Sequence, residues 1–185
     1  MWTIPRISGA ALAVVLLLSG CMPTPSPASP PPKPSTTPVF ASEAEALAAA
    51  TKAYAAYQSS LDDAFSTYDD SQLSRVSSGP ALSKAEASVL EYKKAGKRQT
   101  GSALIDKVSF VDSPSELSAH DASFTAQAYL CLDLSDVDVL GRDGKSIVPA
   151  GSDRRFPIIA SFKWDRSSEV LIVDEDESWS GENFC

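Results

Sequence analysis

Apolar positions along this chain change their period once. From Leu47 through Tyr54, Tyr57, Leu61, Phe65 and Tyr68 they recur at intervals of three, four and seven, which puts them on one stripe of a helix. Ser42-Glu43-Ala44-Glu45 opens that helix as a capping box: the Ser42 hydroxyl can take one orphan amide, and Glu45 can reach back to another. A run of alanines in the same stretch adds helix propensity. A short turn around Leu73 and Val76 comes next, ended by Gly79-Pro80. A second helix is predicted from about Ala81 to Ala95, with Leu82, Ala85, Val89 and Tyr92 on its inner stripe and Gly96 as its C-terminal cap.

Beyond Gly96 the period drops to two. Leu104 to Val111 is strand-like. Ala122, Phe124, Ala126, Ala128, Leu130 and Leu132 alternate with Ser123, Thr125, Gln127, Tyr129 and Cys131, which describes a half-buried strand with one apolar face. Phe156, Ile158, Ala160, Phe162 and Trp164 make a second such face. Pro157 lies among them, and since proline cannot donate to a ladder, that strand has an edge or a bulge there. Asp165-Arg166-Ser167-Ser168 turns the chain into Val170–Val173 as a hairpin, and Gly141-Arg142-Asp143-Gly144 joins Val137–Leu140 to Ile147–Val148. Helices first and an antiparallel meander afterwards define an α+β domain, with N-terminal helices packed on one face of a curved sheet.

The first 40 residues obey neither period. Met1–Arg6 carries one basic side chain, and Ile7–Leu18 is an apolar run too short to span a hydrocarbon core, which needs about 20 residues. It fits the apolar region of a cleavable signal. Leu18-Ser19-Gly20-Cys21 then resembles the lipobox of bacterial lipoproteins, in which a large residue and two small ones precede the cysteine. That resemblance implies cleavage before Cys21 and fatty acyl chains on the new amino terminus, hence a membrane anchor without a transmembrane helix. The segment from Met22 to Pro38 holds 8 of the chain's 13 prolines and little apolar side chain, so it reads as an extended tether. At roughly 3.1 Å per residue it reaches about 50 Å. The expected organisation is a signal peptide over 1–20, a lipidated cysteine and Pro/Ser/Thr-rich tether over 21–40, and a single domain over 41–185.

Charge and cysteine usage narrow the partners. The net charge of −8 and pI near 4.6 leave no basic excess with which to release counterions from nucleic acid. With Cys21 acylated, Cys131 and Cys185 remain, and export puts them where disulfides persist. A bridge between them would fold Ser178–Cys185 over the sheet's second face, with Trp179 and Phe184 as cover; intermolecular pairing is the alternative. Closing a loop of about 55 residues contributes roughly 4 kcal/mol on the chain-entropy account.

The element order over about residues 42–180, with the Trp179…Cys185 ending, resembles the nuclear transport factor 2-like superfamily, a cone of helices against a curved sheet. It is similar also to the small actinobacterial lipoproteins that carry such domains behind a proline-rich tether. Isomerase and dehydratase members of that superfamily work through acids and bases inside the cone. The resemblance makes Asp106, on the first strand with Leu104 and Val108 on its face, and Tyr54, Tyr57 and Tyr68 the candidates for such chemistry here.

Other chemistry is thinly supported. His120 is the lone histidine, and no Gly-x-Ser-x-Gly elbow, phosphate loop, His-Glu-x-x-His helix or cofactor-binding motif occurs. Asp133, Asp136, Asp138 and Asp143 approach a calcium loop, with Gly141 at the turn position. Leu140 and Ile147 stand where ligands are required, so no metal site is assigned. Lys93, Lys94, Lys97 and Arg98 suit a helix C-terminus. Asp174-Glu175-Asp176-Glu177 reads as charge that blunts a strand edge, or as a patch for a cation or partner. The expectation is a lipid-anchored extracytoplasmic module for binding or envelope assembly, its partner another envelope protein or a small apolar ligand. An isomerase or hydratase of the cone-fold type and an accessory subunit of an envelope transporter are the alternatives.

Overall fold

Ser42 takes the extended backbone of an N-cap (φ −157°) and accepts from the Glu45 amide at 3.2 Å. Glu45 accepts in turn from the Ala41 amide at 2.8 Å, so the capping box starts α1 (Glu43–Thr67) where the sequence places it. The computed structural model describes residues 39–112 and 125–185. The signal segment, Cys21, the tether to Pro38, His120, Ala122 and Phe124 lie outside the described residues.

Tyr68 closes α1 in the left-handed region at φ 66°. Its hydroxyl donates to the Lys97 carbonyl at 2.8 Å and its ring lies under the Arg98 guanidinium at 4.6 Å, contacts that offset the backbone cost. A single turn, α2 (Leu73–Val76), leads to α3 (Gly79–Ala95), where Pro80 sits in the first turn and forfeits no helical bond. Gly96 caps α3 at φ 67°. The Arg142 guanidinium donates to the carbonyls of Ala95 (2.9 Å) and Lys94 (2.7 Å), the cation a helix C-terminus favours.

Four antiparallel strands in the order β2-β3-β5-β6 form the main sheet: β2 (Leu104–Phe110), β3 (Thr125–Asp133), β5 (Arg155–Asp165) and β6 (Val170–Ser178). Two short strands, β1 (Arg98–Thr100) and β4 (Asp138–Leu140), pair separately. The fold is α+β, with the helices packed on an open antiparallel sheet. Small side chains line both surfaces that meet: Ala46, Ala50, Ala53 and Ala64 on α1, and Ala126, Ala128 and Ala160 on the central strands. They let α1 approach closely, and Tyr54, Leu73, Leu130, Phe162 and Val173 fill the layer between, all fully buried. Each such large side chain contributes about 1.5–3 kcal/mol through burial.

Two bulges rearrange the faces that strict alternation implies. In β2 the register shifts between Ile105, opposite Leu132, and Lys107, opposite Cys131. Asp106 is the extra residue, so Ile105, Val108 and Phe110 pack inward while Leu104 is 56% exposed. In β6 the shift falls between the partners of Ser161 and Phe162, leaving Asp174 unpaired in the ladder. Leu171 and Val173 face the helices before it, and Asp176, opposite Ala160, faces them after it. Pro157 is tolerated because β6 ends beside it: its carbonyl takes the Trp179 amide at 2.8 Å, where the chain leaves the ladder. The outer edge of β6 is partly covered, since the Ser78 amide donates to the Val173 carbonyl at 2.8 Å.

Gly101, between β1 and β2, adopts φ 76°, and a Cβ there would overlap the Asp136 carbonyl. Gly144 has φ 74° with nothing within 4 Å of such a Cβ. Gly144→Ala is expected to cost about 1 kcal/mol of unfolding free energy from backbone conformation alone. Gly101→Ala is expected to cost at least about 2 kcal/mol more, because backbone must move as well. Urea denaturation of the two variants measures the difference, and equal losses would contradict the close approach.

Candidate functional site

The residues singled out for acid–base chemistry are not assembled. The bulge in β2 turns Asp106 away from the helices, and its carboxylate pairs with the Arg155 guanidinium at the solvent-facing side of the sheet. The expected inward face of Leu104, Asp106 and Val108 is corrected accordingly: the extra residue breaks the alternation that would have joined them. Tyr54 and Tyr57 are buried on α1, and Tyr68 is occupied in closing that helix.

The carboxylate that meets those tyrosines is Asp176. The Tyr54 hydroxyl donates to Asp176 Oδ2 at 3.5 Å, and the Tyr57 hydroxyl to the Ala81 carbonyl at 3.5 Å. Burial, and then the negative charge of Asp176, pushes both phenols well above their ordinary pKa. Burial raises the Asp176 carboxyl as well, with the nearby Lys84 ammonium and the hydrogen bond from Tyr54 pulling it partly back. Lys84 itself bridges to Glu177 at 3.1 Å across an exposed surface. The acidic run on β6 is therefore divided: it lies on an edge strand, but its third member is turned under the helices.

The remaining acids serve local structure. Asp62 on α1 accepts from the Gln99 side chain and from the Ala103 amide (3.1 Å), tying the helix to β1 and the start of β2. Asp133 takes the Ser135 amide at 2.8 Å, Asp138 the Ser146 hydroxyl at 2.6 Å and Asp143 the Lys145 amide at 3.2 Å. Each stabilises its own turn. Among the described residues no three His, Cys, Asp or Glu side chains converge as metal ligands would. Of the basic cluster, Arg98 donates to the Ser66 carbonyl at 2.8 Å and Lys97 lies 5.9 Å from the Tyr92 ring.

An apolar groove of about 370 Å³ lies between α1, α2 and the β5–β6 hairpin. Its α1 wall is Ala49, Ala53 and Ala56, one face of the helix made of side chains too small to fill the space. Opposite stand Val76, Val170, Leu171 and Trp164, the last meeting Phe40 edge to face at 5.7 Å. Lys52, Arg75, Glu45 and Glu169 carry charge on the lining. Its size is at the lower end of small-molecule sites, which run from roughly 300 to 1,000 Å³. Sequence reading missed this groove. The trace it leaves there is an alanine stripe at 49, 53 and 56 on an otherwise aromatic-bearing helix.

On the opposite face of the sheet Cys131 and Cys185 stand at disulfide distance, with Cα atoms 5.5 Å apart. The C-terminal tail crosses that face, and Tyr129 packs between Trp179 (5.0 Å between centroids) and Phe184 (5.5 Å). Lys107 donates to the Phe184 carbonyl at 3.2 Å. Cys131 is fully buried beneath this cover.

No protein-family model and no curated protein matches the chain. Among solved structures, the crystal structure of the intermembrane-space region of the chloroplast protein ARC6 is similar over 73% of this chain and 97% of that one. The sequence identity is 13% and the TM-score 0.49, a likeness too loose to assign a function. No helix among the described residues is long and apolar enough to cross a membrane.

Asp176 supplies a test of the buried cluster. Its folded-state pKa is raised, so between the ordinary carboxylate range near pH 4 and the raised value the folded protein holds the proton more tightly than the unfolded chain. The resulting penalty is absent below the unfolded pKa, grows as pH rises through that window, and is complete above it. Asp176→Asn keeps an acceptor for Tyr54 and removes the charge. The variant is expected to unfold at higher urea concentration than the parent at pH 7, with the advantage shrinking toward pH 4. A variant less stable at every pH would contradict the assignment.

Proposed function

We propose that this protein is an exported, lipid-anchored binding module that holds a small apolar ligand in the groove between α1, α2 and the β5–β6 hairpin. The observation that carries the reading is the groove itself, an apolar space of about 370 Å³ with one wall of alanines. Along that wall Ala53 is buried, Ala49 half-buried and Ala56 exposed, so the alanines grade from the packed core out into the open groove. Burying an apolar ligand there would remove the exposed surface that Val170, 43% exposed, now presents to water.

The sequence supports the address. Leu18-Ser19-Gly20-Cys21 supplies the lipobox, and the proline-rich segment from Met22 to Pro38 supplies a spacer of about 50 Å. The spacer ends at Val39 and Phe40, which line the groove, so the tether would deliver the ligand site and the membrane anchor on one continuous segment. In an oxidising compartment the Cys131–Cys185 pair would staple the tail over the far side of the sheet.

Two measurements test this. Cys21→Ala expressed in cells is expected to release the protein from the membrane fraction into the medium, and unchanged retention would end the anchor. For the groove, the neutral fluorescent probe Nile red is expected to bind the folded protein. Ala56→Leu fills the groove from an exposed position and should weaken the dye by about tenfold, the effect of a small-to-large change in a packed site. Binding that is indifferent to Ala56→Leu would place the dye elsewhere and overturn the reading.

A further inference from the structure

The charges on the lining are unevenly committed, and that asymmetry bears on the ligand's head group. Glu45 spends its carboxylate on the Ala41 amide, at the N-terminus of α1, where the helix dipole also offsets its charge. The side chain of Lys52, two turns further along the same face, has no hydrogen-bond or ion-pair partner among the described residues, and neither has the side chain of Arg75 on α2. Both are exposed. On a chain of net charge −8, two uncommitted cations from separate helices flank the same apolar space. Glu169, in the β5–β6 turn at φ 55°, is the second carboxylate on the lining.

We infer that the groove takes a single-chain amphiphile with an anionic head, its chain along the Ala49–Ala53–Ala56 wall and its carboxylate or phosphate oxygens between Lys52 and Arg75. This rests on the apolar-ligand reading above and names its ligand class. The volume supports one chain, since about 370 Å³ is near the floor for small-molecule sites and a two-chain lipid needs far more. The chemistry of the donors supports the head. Arg75 offers a planar fork matched to carboxylate or phosphate oxygens, and Lys52 adds a mobile point charge. Trp164 and Phe40 close one side with aromatic surface that excludes water from the chain. A cationic head would meet two like charges, with Glu169 and the remaining oxygen of Glu45 as its counter-charges.

The test uses the full chain carrying Cys21→Ala, which removes acyl chains that would compete for the groove. Nile red is bound first and then displaced, below micelle concentrations, by dodecanoate and separately by dodecyltrimethylammonium, which share a chain and differ in head charge. Dodecanoate is expected to displace the dye at about tenfold lower concentration, the scale of one charge-assisted contact. The double variant Lys52→Gln, Arg75→Gln should still bind Nile red, and the two amphiphiles should become equivalent. Equal displacement by both in the parent, or a preference for the ammonium, overturns the anionic head while leaving the groove's apolar role intact. A preference for dodecanoate that survives the double variant overturns the assignment to Lys52 and Arg75. No dye binding at all overturns the apolar-ligand reading and this inference with it. Dodecyl phosphate as a third ligand separates the two head groups: tighter binding than dodecanoate assigns the site to phosphate, and weaker binding assigns it to carboxylate.

Discussion

A ladder of β-strands allows each residue only two directions, and the distribution of chemistry in this protein depends on where that rule is interrupted. Strict alternation places Ala126, Ala128, Leu130, Ile158, Ala160 and Phe162 under the helices without exception. One extra residue in β2 and one in β6 each reverse the facing of the residues beyond them. The first interruption sends a carboxylate out to Arg155, and the second brings a carboxylate in beneath Tyr54. Neither acid chose its environment by its own chemistry. Burial of Asp176 is tolerated because a phenol hydroxyl can donate to it and because Lys84 stands near, which is how a buried carboxylate avoids the full cost of desolvation.

How far the sequence foretold this varies by element for definite reasons. The capping box, Gly96, the hairpin at Asp165 and the faces of β3 and β5 were readable, because each rests on local geometry or on a period that repeats many times. Pro157 was readable as an irregularity, and it proved to sit where its neighbouring strand runs out. Bulges were not readable: a register shift leaves no mark in the order of apolar and polar residues until the partner strand is known. The pairing of β1 with β4 was missed for a related cause, since Arg98-Gln99-Thr100 has no apolar alternation and is held by Asp62 on α1 instead. The groove escaped because it is a deficit. Ala49 and Ala56 signal helix propensity in a sequence, and only the hairpin facing them shows that their smallness leaves room.

The two faces of the sheet solve the same problem differently. The inner face is covered by α1, α2 and α3, and the amphipathic stripes of α1 and α3 are long enough to supply their own hydrophobic driving force. The outer face receives a short tail with two aromatic residues on either side of Tyr129, and Cys131 beneath it is completely buried. Ordering the seven residues from Trp179 to Cys185 costs about 1–2 kcal/mol per residue for backbone, against which stand two packed rings, the Trp179 amide on Pro157 and the Lys107 ammonium on the Phe184 carbonyl. A covalent tie at Cys185 changes that balance by restricting the unfolded chain as well as the folded one. With that bridge closed, the outer cover would depend on oxidation in a way the inner cover does not.

That difference connects the proposed address to the proposed site. The groove lies at the helix side of the molecule, bounded by α1, α2 and the β5–β6 hairpin, and none of its lining residues belongs to the tail. Reduction of Cys131–Cys185 would free the tail and expose the outer face around Tyr129 without removing any wall of the groove. Under that proposal ligand binding and outer-face integrity should respond separately to redox conditions, the first governed by packing between α1 and the hairpin, the second by a sulfur pair that an exported compartment would keep closed. Two strands connect them: β5 carries Trp164 into the groove at one end and Pro157 beside Cys131 at the other, and β6 lines the groove through Val170, Leu171 and Ile172 and runs on into the tail at Trp179. From Ile158 to Asp165 the two strands are laddered to each other, and β5 is laddered to β3 as well, so a loosened tail would have to break this pairing before it moved the groove wall.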